Sequence, residues 1–233
     1  VKEYFILSDI HSHYDLLINA LSKSNFDTEN KNHILLIAGD VLDRGKQGND
    51  VIRFLEPLII KGRVLGVLGN HDEFLLDVVS DTFDITKVQW NCDKNGFKET
   101  LKLGADPKNK VIIKRETILM IGNNLNQKYP VFLQWLRTLP IYLEFPHYVI
   151  VHGFIDFSID DWRNTTKRYA VWERGYDYEV PEDFSKKIIF GHTPNHYINK
   201  QNNIIYNNKK IMIDGGASSN RQVNVLRISE ENI

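Results

Sequence analysis

Three times before residue 73 a short apolar run stops abruptly at a cluster of aspartate, histidine or asparagine. Tyr4–Leu7 leads into Ser8-Asp9-Ile10-His11, and His33–Ala38 into Gly39-Asp40-Val41-Leu42-Asp43-Arg44-Gly45. Val64–Leu68 leads into Gly69-Asn70-His71-Asp72. Between the runs, Leu16, Leu17, Ala20 and Leu21, then Val51, Ile52, Leu55 and Leu58, recur at helical spacing. Strands alternating with helices imply βαβ units and a largely parallel sheet. In such a sheet a ligand site lies beyond the carboxyl ends of the strands, where all three clusters fall. One coincidence of this kind means little; three in succession point to a composite site.

From Glu73 to about Leu139 the spacing turns helical, with Phe74, Leu75, Leu76, Val78 and Val79, then Phe97, Leu101 and Leu103, then Phe132, Leu133 and Leu136. A mostly helical cap over about 73–140, packed near the site, is expected. Strand patterns return at Tyr148–Val151, ending in His152-Gly153, and at Lys187–Phe190, ending in Gly191-His192-Thr193-Pro194. Lys210–Ile213 and Val223–Ile228 read as closing strands, with Asp214-Gly215-Gly216 a turn between them. No Pro-, Gly- or Ser-rich linker interrupts the 233 residues, so one domain over 1–233 is expected.

Composition excludes several classes of partner. A formal net charge of −1 with no basic stripe argues against nucleic acid, whose binders neutralise many phosphates. Cys92 is the only cysteine, which forbids an intrachain disulfide and suits a reducing compartment. Val1–Leu7 is too short for the apolar core of a signal peptide, and no stretch approaches the roughly 20 apolar residues of a membrane span. A cytoplasmic setting away from membranes is the expectation; the oligomeric state is not legible.

Six residues with metal-ligand side chains stand at strand ends: Asp9, His11, Asp40, Asn70, His152 and His192. Mixed carboxylate, imidazole and amide donors suit borderline divalent ions such as Mn, Fe or Zn better than Ca. Two dications about 3.7 Å apart repel by roughly 18 kcal/mol at an effective dielectric of about 20, so a pair needs a shared anionic ligand. Asp40, on the second strand, is the candidate bridge. Such a pair serves to activate water and clamp an in-line displacement.

These blocks, in this order and over about residues 4–228, resemble the signature blocks of the calcineurin-like metallophosphoesterases. The Asp43-Arg44-Gly45 ending of the second block is similar to the phosphoprotein phosphatase branch. The resemblance implies an α/β fold, a sandwich of two mixed β-sheets flanked by helices. It also implies a residue-by-residue site: Asp9 and His11 on the first metal, Asp40 bridging, and Asn70, His152 and His192 on the second. His71 would be the general acid, oriented by Asp43, with Arg44 and Arg174 gripping phosphate oxygens. Arg163 and Arg168 are rivals to Arg174 in the same charged stretch. Ser8 and Ser12 stand where the family usually has glycines, and Asp72 where the branch usually has Glu. Pro194 replaces the second His of many relatives outside the branch, so the first metal site is expected to hold few protein ligands.

The expected chemistry is phosphoester hydrolysis by a hydroxide activated between two divalent ions, Mn first and Fe or Zn next. The expected substrate is a phosphoserine or phosphothreonine protein, or another small phosphorylated compound. Two other readings stay open: hydrolysis of diadenosine tetraphosphate or a similar dinucleotide, and a catalytically inactive binding protein on the same fold. The latter should have lost its acid or anion-binding arginine, and this chain keeps both. His13, His33, His147 and His196 are assigned no role, Trp135 and Cys92 are read as structural, and Asp214 as a turn residue. Trp90 and Trp162 are candidates for a substrate groove.

Overall fold

The computed structural model describes residues 1–108 and 110–233. Three parallel strands, β1 (Glu3–Leu7), β2 (His33–Ala38) and β3 (Val64–Val67), are linked by α1 (Tyr14–Lys23) and α2 (Gly48–Ile60). A run of helices follows: α3 (Asn70–Val79), α4 (Ile85–Lys94), α5 (Phe97–Leu101), α6 (Arg115–Lys128) and α7 (Pro130–Arg137). The chain then forms β4 (Tyr142–Glu144), β5 (Tyr148–Val151), α8 (Lys167–Trp172), β6 (Lys187–Phe190) and α9 (Asn195–Asn199). It closes with β7 (Ile205–Asn207), β8 (Lys210–Met212) and β9 (Leu226–Ser229). Two mixed sheets result, one ordered β3-β2-β1-β9 and the other β4-β5-β6-β8-β7. β9, β4 and β7 are antiparallel to their neighbours, and the rest are parallel.

The pleat explains why two sheets form. In β1 and β2, Tyr4, Ile6, Ile34, Leu36 and Ala38 pack with Ile150, Ile189, Ile211 and Ile213 of the other sheet. The alternate residues Phe5, Leu7, Leu35 and Ile37 face α1, α2 and the inserted helices. On the second sheet, Val149, Val151, Ile188, Phe190 and Met212 turn outward onto Phe154 and Ala170 of the α8 side. Strands buried on both faces carry apolar residues at every position, and successive side chains serve different layers. Three apolar layers therefore stack as helices, sheet, sheet, with α8 covering the outer face.

The helical segment after β3 is more than a cap. Ile118, Ile121, Phe132, Leu133 and Leu136 share one core with Phe5 and Leu35, so α6 and α7 complete the helical layer behind the first sheet. α3 starts in the site with Asn70 and His71, and the turn between α4 and α5 reaches its mouth, where Asn95 lines the cleft and Gly96 O accepts the Arg44 N–H at 3.2 Å. The short strands β4 and β7, each three residues, lack a sequence pattern of their own and form as edges that pair with β5 and β8. No helix among the described residues is long and apolar enough to cross a membrane.

Candidate metal centre and active site

The strand-end loops are held in unusual backbone geometry. Asp9, His11, Ser12, Asp40, Asp43, Arg44 and His192 have φ between 48° and 72°, seven of the twelve non-glycine residues with positive φ among those described. Such conformations cost roughly 1–3 kcal/mol each and persist only where surroundings enforce them. Here the loops lace together: Asp9, His11 and Ser12 donate backbone N–H bonds to Gly39, Asp40 and Val41 carbonyls at 3.0–3.1 Å. Asp9 and His11 thus converge through a left-handed turn after β1 ends, not through alternation along a strand. Two glycines leave room for the side chains. A Cβ at Gly39 would stand 2.6 Å from His152 Nδ1, and one at Gly191 would overlap Asp9 Oδ2 and Ser8 Oγ.

Asp72 ties the second and third clusters to each other. Its carboxylate accepts N–H bonds from Gly69, Asp40 and Val41 at 2.9, 3.0 and 3.2 Å. Burial pushes its pKa up to about 6, although those three donors pull the other way. The shorter acid at this position is thereby accounted for: it reaches back to the start of α3 and clamps β2 to β3.

Five of the six strand-end donors line one cleft of about 270 Å³, with Arg44, His71, Arg174 and Asp214 on its walls, and the sixth, His152, lies against Asn70. His152 Nδ1 donates to Ala38 O at 2.9 Å, and His192 Nε2 to Trp172 O at 3.1 Å. Carbonyls only accept, so in the neutral rings the opposite nitrogens carry lone pairs. Those nitrogens face each other at 3.1 Å, and His152 Nε2 lies 3.0 Å from Asn70 Oδ1 and 3.4 Å from Asp40 Oδ2. Four acceptors converge, an arrangement that a cation satisfies. His11 repeats the arrangement: Nδ1 donates to Leu42 O at 3.0 Å, leaving Nε2 at 3.6 Å from Asp40 Oδ2 and 3.9 Å from Asp9 Oδ1. Two groups able to hold a metal emerge, His11 with Asp40 and His71, and Asp40 with His152 and His192. Asp40 belongs to both. Asp9 sits at the margin, its Oδ2 accepting the His192 N–H at 3.0 Å.

The electrostatics of the cleft fit this donor set. Burial, with His152 and Arg174 nearby, drives the His192 pKa down to about 2, and burial with His71 and Arg44 holds His11 well below its usual value. Burial, then the neighbouring carboxylates of Asp9 and Asp72, pushes Asp40 well up. Neutral imidazoles gathered around carboxylates that resist ionisation are a site short of positive charge.

His71 stands apart in role. Its Nδ1 meets Asp43 Oδ2 at 2.6 Å, its backbone N–H donates to Asp40 Oδ1 at 3.0 Å, and Arg44 Nη2 approaches Nε2 at 3.4 Å. Asp43 is itself held by Thr100, whose hydroxyl donates to Oδ1 and accepts the Asp43 N–H at 3.0 Å. Burial raises Asp43 to about 8, and burial with Arg44 lowers His71 well below its usual value. Thr100 was not singled out in the sequence. Its signal is a polar residue on the buried face of α5, at the spacing of Phe97 and Leu101.

The three arginines of the charged stretch are placed differently. Arg174 lies on the cleft wall, with Nη1 on His192 O and Thr193 Oγ1 at 3.2 and 3.0 Å. Arg163 pairs with Glu144 at 2.8 Å and does not line the cleft, and Arg168 lines a neighbouring groove. Trp90 lines that groove too, whereas Trp162 packs under Arg163. Asp214 accepts the Gly216 N–H at 2.8 Å, as a turn residue should, and also lines the cleft, where burial and Asp9 raise its pKa well up.

The family profile described as calcineurin-like phosphoesterase matches residues 4–213. The chain belongs to the calcineurin-like phosphoesterases. A symmetrical bis(5'-nucleosyl)-tetraphosphatase of Buchnera aphidicola subsp. Acyrthosiphon pisum is 45% identical over 101 residues, 43% of this chain and 33% of the relative. Its namesake in Vibrio vulnificus is 28% identical over 169 residues, 72% of this chain and 49% of the relative. The match thus spans a third to a half of those relatives' own lengths. Among solved structures, the cold-active protein-tyrosine phosphatase of a psychrophilic Shewanella sp. superposes with a TM-score of 0.60 at 20% identity, covering 99% of this chain and 76% of that one. The likeness to that phosphatase is one of fold alone. The two His/Asp groups able to hold a metal lie within the stretch that the family profile matches.

Proposed function

We propose that this phosphoesterase hydrolyses a phosphoanhydride bond of a dinucleoside polyphosphate, using two divalent cations. The convergence of lone pairs on the shared Asp40 Oδ2 carries the reading. Asp9, His11 and Asp40 would hold one cation; Asp40, Asn70, His152 and His192 the other. Mn²⁺ is the first choice for a mixed N/O donor set, with Fe or Zn next. When bound, the cations lower the pKa of water toward neutrality and offset the charge that develops on phosphorus oxygens.

The remaining steps fall to side chains. Arg44 and Arg174, exposed at the rim, grip the phosphate oxygens through their planar forks. Asp43 and Thr100 fix the Nδ1 proton of His71, so Nε2 points at the cleft and Arg44. Burial and Arg44 keep the resting ring neutral, and an arriving polyphosphate anion beside it raises its affinity for a proton. His71 takes up that proton from solvent as the anion binds and delivers it to the leaving oxygen.

The names of the sequence relatives favour a nucleotide over a phosphoprotein, displacing the serine/threonine phosphatase expectation to second place. Mn²⁺-loaded protein should release product from diadenosine tetraphosphate at least tenfold faster, by kcat/KM, than from a phosphoserine peptide. Faster peptide turnover would return the assignment to protein dephosphorylation.

A further inference from the structure

Beside the catalytic cleft, between α3, α4 and the end of α8, runs a larger groove of about 680 Å³, and Trp172 forms part of the wall of both. Phe74, Phe97, Trp90 and Trp172 give the groove an aromatic lining. Phe74 joins it to the catalytic side: its ring centroid is 5.1 Å from His71, 6.0 Å from Phe97 and 6.0 Å from Trp172. Trp172 is fixed by the bond from its Nε1 to Glu73 Oε2 at 3.3 Å, and Glu73 is held in turn by Lys167 at 2.8 Å. Its backbone carbonyl also orients His192. Charged residues of both signs complete the groove, Lys87, Lys167 and Arg168 beside Glu73, Asp77 and Asp84. Lys87 and Arg168 are exposed, and neither makes an ion pair or a side-chain hydrogen bond among the described residues.

We propose that this groove is a nucleoside subsite, in which a purine base stacks on Trp90 while Lys87 and Arg168 attend the polyphosphate running into the cleft. The inference deepens the dinucleotide reading and rests on it. Two observations point to a base and not to a peptide side chain. Trp90 is 55% exposed and lines the groove, so its ring is available to a ligand there. Aromatic faces are sequence-tolerant platforms for flat bases. Lys87 and Arg168 line the same groove as Trp90, and Trp172 joins that groove to the cleft that holds Arg44 and Arg174. A groove of this size falls in the range of sites that enclose a small molecule, about 300–1,000 Å³. The 270 Å³ cleft accommodates the reacting phosphates and leaves the base to be placed elsewhere.

The test is the specificity ratio, kcat/KM for diadenosine tetraphosphate over kcat/KM for p-nitrophenyl phosphate, in Mn²⁺-loaded wild type and Trp90→Ala. Stacking on an aromatic side chain is worth about 1–3 kcal/mol per base, so the ratio should fall about tenfold or more, through KM and not kcat. Lys87→Ala should lower it in the same direction. An unchanged ratio, or a loss carried by kcat, overturns the subsite. Saturation-transfer NMR with adenosine, which offers the cleft no phosphate, separates this claim from the one beneath it. If wild type cleaves p-nitrophenyl phosphate but not the dinucleotide, the dinucleotide reading fails. The subsite then stands only if adenosine still contacts wild type and loses that contact in Trp90→Ala. A Trp90→Ala effect confined to a phosphopeptide, with no adenosine contact, assigns the groove to peptides and overturns the proposal.

Discussion

His192 shows how one side chain is set by everything around it. Its backbone N–H is fixed by Asp9, its Nε2 by Trp172 O, and burial leads the causes that lower its pKa to about 2. A histidine whose folded pKa is depressed below the unfolded value of about 6.5 binds fewer protons folded than unfolded. Its contribution to stability is therefore complete above pH 6.5 and lost as the pH falls through the window from 6.5 toward 2. In metal-free protein, the drop in unfolding free energy between pH 7.5 and 5.5 should be about 1.4 kcal/mol larger for wild type than for His192→Asn. Urea unfolding at the two pH values measures it, and equal drops would mean that the ring is solvated and charged. Asp43 depends on its neighbours in the same way. Thr100→Val keeps the shape and removes the hydroxyl that both donates to and accepts from Asp43. A cost of about 1–3 kcal/mol is expected. A kcat loss with the Mn²⁺ content unchanged should accompany it, since Asp43 positions His71 and not the cations. A variant with full kcat would show that the Asp43–His71 contact needs no third partner.

At the scale of elements, the five parallel strands that feed the site were legible because both of their faces are buried. An uninterrupted apolar run such as His33–Ala38 that ends in a polar cluster announces its own boundary. β4 and β7 were not legible, because an edge strand of three residues is specified by its partner: Tyr142, Leu143 and Glu144 form a strand only by pairing with Tyr148–Val151. The helical segment after β3 was readable as helices but not as layers. Phe132 and Leu133 repeat like any amphipathic helix, and nothing in that spacing states that they pack on Phe5 and Leu35. The six strand-end donors were legible for the same reason as their strands. Thr100 was not, because its partner Asp43 is 57 residues away and the contact exists only once α5 docks. Arg174 shares its stretch with Arg163 and Arg168, and only the turn after α8 separates the three.

For the whole molecule, the two sheets must pack before the site exists, because Asp9, Asp40 and Asn70 come from one sheet and His152 and His192 from the other. Stability of the interlayer is thus a condition of function. Ile189 is fully buried between the sheets, and Ile189→Ala should cost roughly 2–5 kcal/mol in urea unfolding. A cost below about 1 kcal/mol would mean that the layers meet loosely. The strained loops and the clamp of Asp72 then hold the donors in place in advance of any ligand, with Asp40 shared between two groups. The claim that everything else depends on is that these donors hold a pair of cations which the reaction requires. Equilibrium dialysis of stripped protein against Mn²⁺, with the hydrolysis rate read at each loading, tests it most directly. Two ions per chain in wild type are expected, with activity tracking occupancy and Asp40→Asn losing both tight binding and at least a hundredfold in rate. Full activity in stripped protein, or an Asp40→Asn variant that still hydrolyses at the wild-type rate, would contradict the account.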